Sequence, residues 1–294
     1  MDQHIFKVKK SKLDGTEQVF DHASCLGTNR LPACVDLRPF CPPVTNQGTA
    51  GTSTAHASVA ARTMLAKSAS LVFSAAMQHY NERGIACNTG ANPEISGKDI
   101  VSALVKYGVC PQSDMPHVVG NDAPPAQAYA SGLRYRISGG AIVNGLTGIK
   151  TALFIKEQPV LLGITVYESF ENTSTAQSGI VQMPGLGEQE LGGHEVLIVG
   201  WTDIVGGRII PIDGWSTTRE GCDLLDLLFC QNGYTGYFIV RNSWGSDWGI
   251  NGYFLLPYEY VVKYGFEQWL LCAVERPPVS AQPIVCERVA VVQV

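Results

Sequence analysis

Gln47-Gly48-Thr49-Ala50-Gly51-Thr52-Ser53-Thr54-Ala55 is the stretch on which the reading of this chain turns. Its glycines mark a loop, and Ala55, Ala57, Val59, Ala60, Ala61, Met64 and Leu65 then carry a helix over 53–67. So many alanines imply a central helix, closely surrounded by other elements. The first turn of a helix has unpaired N–H groups and partial positive charge, which lower a thiol's pKa and stabilise a developing oxyanion. Position 53 therefore suits a nucleophile, and it holds serine. Gln47, across the glycine-rich loop, can offer a side-chain N–H to the oxyanion, with the backbone N–H of residue 53 as the partner donor.

Two later segments complete a constellation. Gly192-Gly193-His194 opens a strand, and Arg241-Asn242-Ser243-Trp244-Gly245 follows one. Nucleophilic catalysis needs a base that takes the nucleophile's proton and a third group that orients the base. His194 can act as base and then as acid, and Asn242 can accept its second imidazole N–H. In this order the three segments resemble the nucleophile helix, histidine strand and Asn-Ser-Trp-Gly turn of the papain-like cysteine peptidases. Ser53 precedes His194 by 141 residues, within the roughly 130 to 150 usual for that family. The 48 residues from His194 to Asn242 are more than usual, so about 203–235 reads as an insertion.

The resemblance runs from about 34 to 271 and is nearest to a bacterial-type branch in which threonine, here Thr54, follows the nucleophile. It is carried further by Asp36-Leu37-Arg38-Pro39, Tyr80-Asn81-Glu82-Arg83-Gly84, Lys106-Tyr107-Gly108-Val109-Cys110-Pro111, Val166-Tyr167-Glu168-Ser169-Phe170 and Pro257-Tyr258-Glu259-Tyr260. It implies that Trp244 shields the His194–Asn242 hydrogen bond from water. Asn88-Thr89-Gly90-Ala91 is similar to the family's strip that pairs with substrate backbone, so Gly90 and Ala91, with Gly193 beside the histidine, are expected to bind substrate. No metal or cofactor is implied.

Local patterns give the same architecture. Helices are expected at about 71–83, 96–107 (Ser96 as N-cap, Gly108 as stop) and 147–157, and strands at 160–166, 195–201, 236–241 and 252–256. Helices first and strands later argue for an α+β fold. The expectation is a papain-like two-lobe fold. It has an N-terminal arm or pro-segment at 1–33, a helical lobe at 34–140, a β-rich lobe at 141–275 with the cleft between the lobes, and a tail at 276–294.

Composition narrows the partners. The chain has 45% hydrophobic and 16% charged residues, which excludes a disordered chain, and a net charge of −5 leaves no basic surplus for nucleic acid or anionic membrane. The expected partners are a polypeptide substrate or inhibitor and the chain's own N-terminal arm, placed along the cleft. With no apolar run of signal-peptide or membrane-spanning type, an intracellular location is expected, with nine cysteines of irregular spacing read as reduced thiols.

Rival readings are weaker. His56 lies three residues after Ser53 and could reach it on a helix, but is read as packing residue. His194-Glu195 lacks the second histidine of a zinc-binding HExxH. Gly51-Thr52-Ser53-Thr54-Ala55 approximates the GxSxG elbow of serine hydrolases, but the polar, proline-led residues before it do not make the buried strand that elbow needs. Ser53 itself leaves two readings: an engineered Cys-to-Ser exchange holding a peptidase inactive, or a native pseudo-protease that binds peptides without cutting them. Either way little turnover is expected, since a hydroxyl does not form the thiolate–imidazolium pair near neutral pH.

Overall fold

A computed structural model describes residues 4–68, 71–86, 93–116, 122–205, 208–209, 212, 235–273 and 284–285. The helices are α1 (His22–Leu26), α2 (Ser53–Leu65), α3 (Ala75–Ile85), α4 (Gly97–Lys106), α5 (Ala126–Gly132), α6 (Gly145–Ile155), α7 (Thr173–Ser178) and α8 (Tyr258–Tyr264). The strands are β1 (Gln18–Val19), β2 (Cys34–Asp36), β3 (Gly139–Ile142), β4 (Val160–Tyr167), β5 (Glu190–Val205), β6 (Arg208–Ile209), β7 (Gly236–Arg241), β8 (Tyr253–Pro257), β9 (Gly265–Cys272) and β10 (Ile284–Val285). This is the expected α+β architecture.

The sheet is antiparallel almost throughout. β5 is its long central strand, pairing with β4, β2, β7 and β6, while β9 lies between β4 and β3. Trp201, Phe238, Phe254, Phe170 and Tyr260 are fully buried around it. Cys34–Asp36, inside the span read as helical lobe, joins this sheet against β5, and Ile284–Val285 of the tail pairs with it in turn. Cys34 also corrects the reading of reduced thiols, for it is disulfide-bonded, whereas Cys25, Cys41, Cys110 and Cys272 are free. An odd cysteine count cannot reveal a single bridge. Among the described residues no helix is long and apolar enough to cross a membrane.

The alanine-rich helix is central, as its composition requires: eleven of the thirteen residues of α2 are buried, so it has no solvent face. It packs on β5 and on α3. Ser74 caps α3, and a Ser96–Asp99 capping box starts α4, satisfying amides that would otherwise be orphaned.

Residues 4–33 are not a loose terminus. Val8 N–H donates to Gly193 O (3.1 Å), Lys9 N–H to Ile95 O (3.0 Å), and Ile95 N–H to Lys7 O (3.0 Å). Further on, β1 adds to β3 in parallel and α1 packs on α6. The arm thus bridges α4's approach and the start of β5.

A buried carboxyl clamps α2 to α3. Glu82 accepts from Thr54 Oγ1 (2.7 Å) and from Gln78 Nε2 (2.8 Å), with no exposure to solvent. Burial pushes its pKa up from 4.5 to about 8, against those hydrogen bonds. An acid whose folded value lies above its unfolded one binds its proton more tightly when folded. The stability it contributes is fully present below about 4.5 and is lost as pH rises through about 8. Glu82→Gln keeps the neutral shape and should flatten this loss. Between pH 5 and pH 8, denaturant titrations should show the parent losing on the order of 3 kcal/mol more than the variant. Equal losses would contradict a proton held at Glu82.

Candidate active site

Ser53 is the first residue of α2, and the polar loop before it contains no strand. The strand–turn–helix elbow of a serine hydrolase is therefore absent. Thr52 holds the N-cap position but makes no side-chain cap, and its Oγ1 is buried without a hydrogen-bond partner. The amides of the first turn are left to whatever binds there, with the helix dipole behind them. Ser53 is itself buried, and its Oγ accepts the backbone N–H of Glu195 at 3.3 Å. That contact puts the hydroxyl against β5 one residue beyond His194.

His194 has no solvent exposure, and its Nε2 is 2.9 Å from Asn242 Oδ1. The same Oδ1 accepts the backbone N–H of Ser243 at 2.8 Å, which identifies it as oxygen. An oxygen only accepts, so Nε2 carries the proton of the neutral ring and Nδ1 is left bare. His194 Nδ1 has no hydrogen-bond partner. The backbone of Asn242 is held by its N–H on Gly252 O (3.0 Å), where the turn after β7 meets the approach to β8. Trp244 tilts over the imidazole with ring centroids 5.1 Å apart, and Phe170 stands edge-on behind both. Burial draws the His194 pKa down to about 4, while the Asn242 bond pulls it the other way and His4 adds a further lowering.

Gln47 links the loop to the Asn242 turn. Its backbone N–H donates to Ser243 O (2.8 Å), its Oε1 accepts from Ser243 Oγ, and its Nε2 donates to Ala50 O (2.7 Å). One Nε2 hydrogen therefore holds the loop and the other is available to a ligand. His56 is buried and its Nδ1 meets Thr45 Oγ1 at 2.7 Å, as suits a packing residue.

The arm crosses this site. His4 stacks on Trp244 at 4.0 Å with 9° between the rings and meets Glu171 Oε1 at 2.7 Å, and Phe6 approaches His194 edge-on at 5.8 Å. A Cβ on Gly193 would lie 1.8 Å from Val8 O, and one on Gly192 (φ 132°) 2.9 Å from Phe6 Cβ, so the arm can lie this close only over two glycines. Gly193 is thus placed where a bound chain runs. Gly90 and Ala91 lie outside the described residues. The residue that pairs with the arm on that side is Ile95, which the sequence reading missed, because nothing in an isolated isoleucine marks a backbone edge.

Glu195, weighed in the sequence only as part of an incomplete zinc motif, is a second such residue. Its side chain is buried with both carboxyl oxygens unpartnered, and burial, then Glu267 and Glu82, raises its pKa well above the ordinary value. In the sequence it drew notice only as the second residue of an incomplete HExxH, and otherwise as a charged residue inside an apolar run.

Known proteins share this fold. A protein of Acanthamoeba polyphaga mimivirus, described as an uncharacterised peptidase C1-like protein, is 33% identical over 221 residues, covering 69% of this chain. The chain spans 59% of that relative's length. Human cathepsin O is 44% identical over 55 residues, 19% of this chain and 16% of its own. Among solved structures, xylellain, a cysteine protease from Xylella fastidiosa, superposes with a TM-score of 0.74 at 24% identity, covering 94% of this chain and 99% of its own. Digestive procathepsin L 3 of Tenebrio molitor gives 0.65 at 18% identity, with coverages of 92% and 77%. The profile described as papain family cysteine protease matches residues 31–274. The chain belongs to the papain family of cysteine proteases.

Proposed function

We propose that the cleft is that of a cysteine-type endopeptidase acting on extended polypeptides, with His194 as base and acid, Asn242 as its orienting partner and Gln47 with the amide of residue 53 as oxyanion donors. Ser53 at the nucleophile position keeps hydrolysis very low. The observation that carries this reading is the buried Nε2–H···Oδ1 bond between His194 and Asn242, which leaves Nδ1 without a partner, while Ser53 Oγ accepts the N–H of the next residue, Glu195.

The serine matters through charge. A cysteine here would give its proton to Nδ1 and leave a thiolate, and each charge would stabilise the other. A serine hydroxyl stays protonated, so the buried imidazole has no counter-charge and remains neutral, in keeping with its lowered pKa. The native pseudo-protease reading keeps the same cleft and is supported by the arm, a peptide segment held there through backbone hydrogen bonds.

The arm is read as an occupant that substrate must displace. Its bonds to Gly193 O and Ile95 are the kind any extended chain can make, so they favour an arm that competes with substrate whatever its side chains.

Two outcomes are expected. Ser53→Cys should give hydrolysis of fluorogenic peptides at least a hundredfold above the parent, and adding His194→Ala should return it towards background. A Ser53→Cys chain that neither turns over peptides nor reacts at position 53 with a thiol-directed peptidyl inhibitor would leave the binding-module reading. In the Ser53→Cys chain, Val8→Pro removes the N–H that donates to Gly193 O. It should raise turnover several-fold at low substrate concentration. An unchanged or lower rate would contradict an arm that blocks the cleft.

A further inference from the structure

A cavity of about 210 Å³ adjoins the catalytic segments, yet none of Gln47, Ser53, His194 and Asn242 lines it. His56, Val59, Ala60 and Thr63 face it from α2, the helix that begins at Ser53. Thr45 and Asn46 face it from the segment that leads to Gln47, and Arg241 from the end of β7, one residue before Asn242. Each segment that supplies a catalytic group thus also supplies a neighbour of that group to this second space. The segments are linked there, for Thr45 Oγ1 meets His56 Nδ1 at 2.7 Å and Asn46 is bridged to Trp244. Pro43, Asn46 and Gln112 in the lining are exposed, so the cavity opens to solvent.

Its charge is of one sign. Arg241 is 4% exposed, and its Nη1 donates to Pro42 O (2.6 Å) and its Nη2 to Pro43 O (2.5 Å). Those carbonyls orient the guanidinium but carry no net charge, and among the described residues no carboxylate is ion-paired with it. No acidic residue lines the cavity. The eleven-residue helix α3 also starts at it: Ser74 Oγ accepts the N–H of Met77 (3.2 Å), while the N–H groups of Ala75 and Ala76 have no acceptor within the helix. A buried cation without a counter-charge costs free energy that an anion placed here offsets, and the positive end of the helix dipole acts in the same direction. The rest of the lining is largely apolar, with Val59, Ala60 and Phe73 buried. An apolar cavity of roughly 150 Å³ holds benzene, so this one has room for an aryl ring with a carboxylate.

We propose that this cavity is a second ligand site, which takes a small monocarboxylate with an aryl or branched alkyl body. The carboxylate pairs with the Arg241 guanidinium in the field of the α3 N-terminus, and the body lies on the apolar floor. A bound acid fixes Asn46 and Arg241, the neighbours of Gln47 and Asn242, and so steadies the oxyanion donor and the orienting amide without entering the cleft. That link to turnover rests on the peptidase reading, whereas binding does not.

The test titrates the full chain, with Ser53 in place, with 4-fluorophenylacetate and with its neutral counterpart 4-fluorophenylacetamide, and reads binding by ¹⁹F NMR. The acid should bind at least tenfold tighter than the amide, and Arg241→Gln should remove that preference. Ala76→Glu should remove it too, since it brings a carboxylate of its own to the cavity at a helix position that favours one. This second variant keeps the test decisive if Arg241→Gln fails to fold. Equal affinities for acid and amide, no binding of either, or a preference that survives Ala76→Glu would overturn the site. In the Ser53→Cys chain, saturating acid should raise kcat on a fluorogenic peptide at least twofold with KM unchanged. A rise in KM alone would put the acid in the substrate cleft and overturn the proposal, and unchanged kinetics with the acid bound would remove the link to the catalytic segments. A Ser53→Cys chain without turnover removes the peptidase reading alone, and the fluorine titrations still decide the site.

Discussion

The site depends on one buried hydrogen bond, from His194 Nε2 to Asn242 Oδ1. It joins a strand, β5, to the turn after another, β7, and it decides which imidazole nitrogen is left for chemistry. Oδ1 is fixed because Ser243 N–H also donates to it, and Trp244 covers the pair. Gln47 then ties the loop before α2 to the same turn through Ser243, so nucleophile helix, base and orienting amide are held by one connected set of bonds. In a low-dielectric interior such a network costs most where a member goes unsatisfied. Thr52 Oγ1, His194 Nδ1, Asn242 Nδ2 and Trp244 Nε1 are buried without hydrogen-bond partners.

Close approach is the second constraint. The arm can lie against the start of β5 because Gly192 and Gly193 have no side chains, and its backbone bonds demand nothing of its sequence. Side chains enter at Trp244, where His4 stacks, and at Glu267, where Ser11 donates twice. The arm is therefore fastened by side chains at His4 and Ser11 and by backbone hydrogen bonds between them.

Much of this was legible in the chain. Alanine spacing after Ser53 required a surrounded helix, and α2 has no solvent face. Ser96, read as an N-cap, closes a capping box on α4, and the strand read over 236–241 is β7 to the residue. Such features are local, so a sequence contains them. Ile95, Glu195 and Glu267 gain their meaning from register, which places residues far apart in the chain on one row, and no short window holds that information. The same is true of Cys34, whose bridge could not be read from an irregular spacing.

The central claim, a neutral His194 with its proton on Nε2 and a bare Nδ1, can be measured directly. In the chain labelled with ¹⁵N-histidine, the two imidazole nitrogens of His194 report protonation separately. At pH 7 the account predicts a protonated, pyrrole-like Nε2 coupled to Asn242 and an unprotonated, pyridine-like Nδ1, a pattern that persists on acidification until the pH nears about 4. An imidazolium at pH 6, or a proton on Nδ1 with Nε2 bare, would contradict it.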